Sequence, residues 1–196
     1  MKLDPWPYPL WIAHRGAGKL APENTLAAFR LGARHGYRAF ECDVKLSADG
    51  TAFLLHDDTL DRTSSGRGDA GARPWSELAL LDAGSWHGRG HAGEPLASLA
   101  AIAAFCLRNR HALNIEIKPS PGRERETGEA VAHEAARLWQ GQAVQPLLSS
   151  FKPESLEGAR SAAASLPRAL LVDELWAGWF DSAQSLDCVA VLGSYP

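Results

Sequence analysis

Short apolar runs alternate with segments of helical spacing along most of the chain. Residues 10–13 (Leu-Trp-Ile-Ala) make the first run, short and apolar as a fully buried parallel strand requires, and residues 14–21 read as the loop after it. Asn24 or Thr25 caps a helix that runs to about His35 with Leu26, Phe29 and Ala33 inward, and Gly36 suits its C-terminal end. Residues 39–44 predict a second strand, Ser47-Ala-Asp49-Gly50 a turn, and residues 51–56 a third strand ending in His56-Asp57-Asp58. Residues 64–95 change texture. They are rich in Gly, Ser and Arg, with Trp75, Leu78, Leu81 and Trp86 as scattered anchors, and read as an excursion from the core with one short helix near 75–81. The alternation then resumes: a helix at 98–109, a strand at 113–119 stopped by Pro119, and a helix at about 124–140. A strand at 147–151, a helix at 153–161, a strand at 169–172, a helix near 176–183 and a strand at 188–192 complete it.

Strands alternating with helices predict parallel βα units. A closed eight-strand barrel needs about 250 residues. This chain of 196 residues offers seven strands, so either the barrel is incomplete or the count is one short. The length suits one domain with a sizeable core, and 45% hydrophobic with 22% charged residues is ordinary for a globular protein. A formal net charge of −3 leaves no basic footprint for nucleic acid. Three cysteines (Cys42, Cys106, Cys188), few and odd in number, argue against a disulfide framework and suit a reducing compartment. The proline-rich residues 1–9 lack the apolar stretch of a signal peptide, and no run is long enough to span a bilayer.

The chemistry lies at strand ends. Glu41 and Asp43 are two apart, so both carboxylates point to one side of their strand while Cys42 points toward the covering helices. Two like charges aimed at one spot repel unless neutralised, and hard oxygen ligands favour Mg²⁺ or Ca²⁺ over zinc. Glu116 and Lys118 repeat the spacing on an Ile-rich strand; Glu116 supplies a third carboxylate for the metal, and Lys118 a positive charge for an anion beside it. His14 and His56 each end an apolar strand and form a candidate acid/base pair. Arg15 adjoins His14 and suits phosphate. The Gly16-Ala-Gly18-Lys19 run fails as a phosphate loop, because Ala13 stands where the earlier glycine belongs and Leu20 replaces Ser/Thr. Cys42 is a poor nucleophile, since neighbouring carboxylates raise its pKa.

These residues resemble the glycerophosphodiester phosphodiesterases. The likeness rests on His14-Arg15-Gly16 with Pro22-Glu23-Asn24-Thr25, on Glu41-Cys-Asp43-Val44, and on His56-Asp57 through Leu60-Asp-Arg62-Thr63. It continues in Leu81-Asp82-Ala-Gly84-Ser-Trp86 and Glu116-Ile-Lys118-Pro119, in order from about residue 10 to 192, and is nearest the small bacterial cytosolic type. The resemblance implies a TIM (β/α)8-type barrel over residues 1–196 with a small inserted subdomain within about 57–110. It implies metal-dependent hydrolysis of glycerophosphodiesters to glycerol 3-phosphate and an alcohol. One divalent cation would be held by Glu41, Asp43 and Glu116, with His14 and His56 as acid and base and Arg15 and Lys118 on the phosphate. Which histidine is acid, and whether water or the glycerol's own hydroxyl attacks, stays open. Family members continue past the seventh strand with a helix, a final strand and a closing helix, so the barrel is expected to lack its C-terminal end, with a homo-oligomer covering the open edge. A cytoplasmic location without membrane insertion completes the reading. Two alternatives remain: a related barrel phospholipase acting on lysophospholipids, and a catalytically silent binding module.

Overall fold

Strand β2 (Ala39–Leu46) is buried along its whole length, and its sequence shows why. Phe40, Cys42, Val44 and Leu46 face the helices and join the main core, whereas Glu41, Asp43 and Lys45 alternate with them on the other face. The structure, a computed structural model, describes residues 6–193; residues 1–5 of the proline-rich start and the terminal Ser194-Tyr195-Pro196 lie outside the described residues. Around β2 the sheet runs β1 (Ile12–Ala13), β2, β4 (Ala112–Ile117), β5 (Leu147–Ser150), β6 (Arg168–Val172) and β7 (Cys188–Gly193), every neighbouring pair parallel. These six strands form a curled, open half-barrel, and among the described residues β1 and β7 are its two edges.

Two expectations are corrected. The third strand, β3 (Ala52–Leu54), pairs antiparallel with β2 and stands off the parallel path. Only the turn at Ser47–Gly50 separates the two, with Gly50 N–H donating to Ser47 O at 3.0 Å, and a connection that short builds a hairpin, since a parallel pair needs a crossover of a dozen or more residues. The first strand is also shorter than its apolar run. Leu10 and Trp11 are 84% and 74% exposed, because β1 is an edge strand with β2 alone beside it, leaving its entry uncovered.

Helix α1 (Leu26–Arg34) is capped by Thr25, whose Oγ1 accepts from Ala28 N–H at 3.3 Å. It ends at His35 with Gly36 in the left-handed region. The short α2 (Trp75–Leu78) belongs to the excursion, whose Leu60, Ala70, Leu78 and Ala83 pack with Phe53 and Leu55 as a separate cluster. Helix α3 (Leu99–Asn109) returns to the main core through Leu99, Ile102, Ala103 and Cys106. Helices α4 (Glu124–Leu138), α5 (Pro153–Ala162) and α6 (Trp179–Ser185) follow the later strands. α4 and α5 meet backbone to backbone through two glycines: a Cβ at Gly128 would fall 1.9 Å from Ser155 O, and one at Gly158 would fall 2.2 Å from Arg125 O.

Neither glycine can accept a methyl group unless the helices separate. Gly158→Ala is therefore expected to lower stability by about 1–3 kcal/mol, read as a lower urea midpoint. An unchanged midpoint would show that the α4–α5 contact has slack.

Candidate active site

The centre of the site is the inner face of β2 and β4. Their register sets Asp43 directly beside Glu116, and Glu41 precedes Asp43 on the same face. One oxygen from each of Glu41, Asp43 and Glu116 lies within 4.8 Å of the others, and all three residues are buried. Glu41 Oε1 and Asp43 Oδ1 have no hydrogen-bond partner. Burial, and then the Asp43 charge, raises the carboxyl pKa of Glu41 well above the usual range, and the same two causes raise Glu116. A buried, underpartnered, all-oxygen donor set of this kind fits a hard divalent cation. Lys118 Nζ lies 2.8 Å from Glu116 Oε1 and 3.9 Å from Asp43 Oδ1, and sits over the Phe151 ring at 5.6 Å.

The loop after β1 closes over this face. Gly16 O approaches α1 so tightly that a Cβ at Gly32 would fall 2.2 Å from it, which pins the turn carrying His14 and Arg15. Arg15 has φ +51°, and its N–H donates to Glu41 Oε2 at 2.8 Å. Its side chain reaches Glu23 Oε1 (Nη1, 2.9 Å) and Asp43 Oδ2 (Nε, 3.2 Å). His14 Nε2 lies 3.8 Å from Glu41 Oε2, and burial together with Arg15 lowers the His14 pKa. In the same cleft, His56 Nδ1 meets Asp57 Oδ1 at 2.7 Å, which leaves Nε2 outside that bond. His14, Arg15, Glu41, His56, Glu116 and Lys118 line one cleft of about 640 Å³, completed by Asn114, Phe151, Leu171, Asp173, Leu192 and Gly193.

Every candidate site residue thus comes to one place, together with five whose contacts the sequence pattern did not reveal. Of the two cap candidates, Thr25 takes the cap and Asn24 does not. With φ +60° its side chain turns to Asp43 instead, donating to Oδ2 at 2.7 Å and accepting the Asp43 N–H at 3.1 Å. Lys45 extends the two-residue spacing of Glu41 and Asp43. It is buried and donates to Asp58 Oδ1 at 2.7 Å and Lys118 O at 3.3 Å. Glu23 and Asp57 brace Arg15 and His56, and Arg62 bonds both of those carboxylates. Six carboxylates (Glu23, Glu41, Asp43, Asp57, Asp58, Glu116) and four cations (Arg15, Lys45, Arg62, Lys118) share this network. Cys42 lies on the opposite face in the core; burial first, and Glu41 second, pushes its thiol pKa well up.

A half-barrel of parallel strands with acidic groups, histidines and cations at one cleft defines the class, and comparison with known proteins gives the family. The glycerophosphoryl diester phosphodiesterase family model matches residues 14–196, and the chain belongs to that family. It is 36% identical over 166 residues to YhdW of Bacillus subtilis, covering 82% of this chain and 64% of that protein. It is 34% identical over 166 residues to a glycerophosphodiester phosphodiesterase of Caldanaerobacter subterraneus, covering 83% of this chain and 66% of the relative. The chain therefore spans just under two thirds of the length of these two relatives. Among solved structures, an Oleispira antarctica phosphodiesterase in complex with the product sn-glycerol-3-phosphate is similar at a TM-score of 0.87 and 34% identity, covering 95% of this chain and 75% of that one.

Glu41→Gln keeps the acceptor for Arg15 N–H and replaces a buried like charge with an amide donor. In cation-free buffer it is expected to raise unfolding stability by about 1–3 kcal/mol. Asn24→Gly, which retains the positive φ but unpairs Asp43, is expected to lower it by a similar amount. Urea denaturation in chelator measures both, and a destabilised Glu41→Gln protein would contradict the electrostatic account.

Proposed function

We propose that the chain catalyses hydrolysis of glycerophosphodiesters to glycerol 3-phosphate and an alcohol. The observation that carries this reading is the convergence of three buried carboxylates, two with unpartnered oxygens, on a cleft also lined by two histidines, Arg15 and Lys118. Membership of the family supports it, as does the likeness to an enzyme whose structure contains sn-glycerol-3-phosphate. Glu41, Asp43 and Glu116 hold one Mg²⁺ or Ca²⁺ in this reading. When bound, that cation supplies positive charge for the phosphodiester oxygens.

The chain's own residues do the rest. Arg15 and Lys118 take the phosphate oxygens and offset the charge that grows on them. His56 is held through Nδ1 by Asp57, and His14 stands beside Glu41, both lining the cleft. One histidine removes the proton of the attacking oxygen, and the other returns a proton to the leaving alkoxide. The attacker is water or the neighbouring glycerol hydroxyl, and trapping of a cyclic phosphate separates the two routes. Residues 57–110 contain the inserted subdomain in this reading, and Arg62 and Asp57 bring its start to the site. Among the described residues no helix is long and apolar enough to cross a membrane.

The test is release of glycerol 3-phosphate from a mixture of glycerophosphodiesters with Mg²⁺, with Ca²⁺ and with chelator. Release is expected with cation and not with chelator. His14→Ala and His56→Ala are each expected to lose about 10²–10⁴-fold in kcat while still binding cation. Folded, cation-loaded protein that releases nothing would contradict the proposal and favour a silent binding module.

A further inference from the structure

Arg62 lies just before residues 64–95, five residues after Asp57, with its side chain 44% exposed. Its guanidinium forks onto two carboxylates from distant parts of the chain. Nη1 and Nη2 donate to Glu23 Oε2 and Oε1 at 2.9 and 2.8 Å. Nε and Nη2 donate to Asp57 Oδ2 and Oδ1 at 2.6 and 2.9 Å. Each carboxylate carries the contact inward: Asp57 Oδ1 to His56 Nδ1 at 2.7 Å, and Glu23 Oε1 to Arg15 Nη1 at 2.9 Å. An unbroken line of charge-assisted bonds therefore joins His56 to Arg15, both of which line the cleft.

We infer that Arg62 is a positioning residue: by fixing Asp57 and Glu23 together it sets the orientation of His56 and Arg15 as one unit. Its four short bonds all fall on the two carboxylates that hold His56 and Arg15, which is the placement of an orienting group; a bidentate, networked arginine of this kind also contributes to stability. A guanidinium is suited to this, because its planar fork serves two carboxylates at once, whereas a lysine supplies the charge without the fork. The hydrogen bonds from Arg62 are also the leading cause of the low Asp57 pKa, so Asp57 stays an acceptor for the His56 Nδ1 proton. At Glu23 burial works to raise the pKa, and the bonds from Arg62 and Arg15 outweigh it. Without Arg62, two adjacent carboxylates would repel, and Glu23 would draw Arg15 away from an incoming anion.

The kinetic part of this inference rests on the phosphodiesterase reading; the structural part does not. Arg62→Met and Arg62→Lys are compared with wild type by ¹⁵N NMR of the histidine rings, His56 being assigned by its loss in His56→Gln. Wild type is expected to show His56 as the Nδ1-protonated tautomer, and Arg62→Met a mixture of tautomers. In turnover, Arg62→Met is expected to lose about tenfold to a hundredfold in kcat, with Arg62→Lys failing to restore it. Asp57→Asn and Glu23→Gln should be non-additive in kcat with Arg62 present and additive in the Arg62→Met background. Wild-type kcat in Arg62→Lys would overturn the inference, as would an unchanged His56 tautomer in Arg62→Met or a defect confined to melting temperature. If no form of the protein turns over, the phosphodiesterase reading fails, and the His56 tautomer alone decides the role of Arg62.

Discussion

Three carboxylates aimed at one point are the constraint from which the rest of the site follows. At an effective dielectric of about 20, each ionised pair at such separations repels by about 3–4 kcal/mol, against a total stability of about 5–15 kcal/mol for an ordinary domain. The fold meets this repulsion from several directions. Lys118 lies on Glu116, Arg15 contributes a backbone N–H to Glu41 and a guanidinium to Asp43, and Asn24 pairs with Asp43. These contacts still leave Glu41 Oε1 and Asp43 Oδ1 unpartnered, and burial keeps the carboxyl pKa of Glu41 high. A site tuned for its own stability would pair those atoms. Two buried carboxylate oxygens left without a hydrogen bond are the atoms that the proposed cation would satisfy.

The scaffold explains how so much charge is held in place. β2 and β4 alternate core residues on the helix side with polar residues on the cleft side, so burying Phe40, Cys42, Val44, Ile115 and Ile117 fixes where Glu41, Asp43 and Glu116 point. The loop carrying His14 and Arg15 is pinned by the close approach of Gly16 to Gly32 on α1. The hairpin strand β3 ties the His56 loop to the excursion through Phe53, which packs with Leu60 and Leu78. Stability and chemistry thus share strands and separate by face.

The parts of this arrangement with short-range signatures were legible in the sequence. A two-residue spacing of acids on an apolar strand is enough to place Glu41 with Asp43, and Glu116 with Lys118, because strand periodicity is local. Lys45 obeys the same rule, and its partner Asp58 lies beyond the hairpin. Arg62 has no such signature: one of its partners is 39 residues away in sequence, and only the fold brings Glu23 to it. Asn24 and Thr25 are both good caps by type, so the sequence leaves the choice between them open; Thr25 takes the cap, and Asn24, with positive φ, bonds Asp43. The antiparallel course of β3 was encoded in the length of its turn, whereas the exposure of Leu10 and Trp11 follows from the edge position of β1, a property of the whole sheet.

The central claim is that Glu41, Asp43 and Glu116 act together as one cation site. Titration of the chain with Mn²⁺, followed by the electron paramagnetic resonance of the free ion, tests it without reference to turnover. The account predicts one bound Mn²⁺ per chain, displaced by Mg²⁺ or Ca²⁺ and lost in Asp43→Asn. No binding by folded protein, or binding that survives Asp43→Asn unchanged, would contradict it.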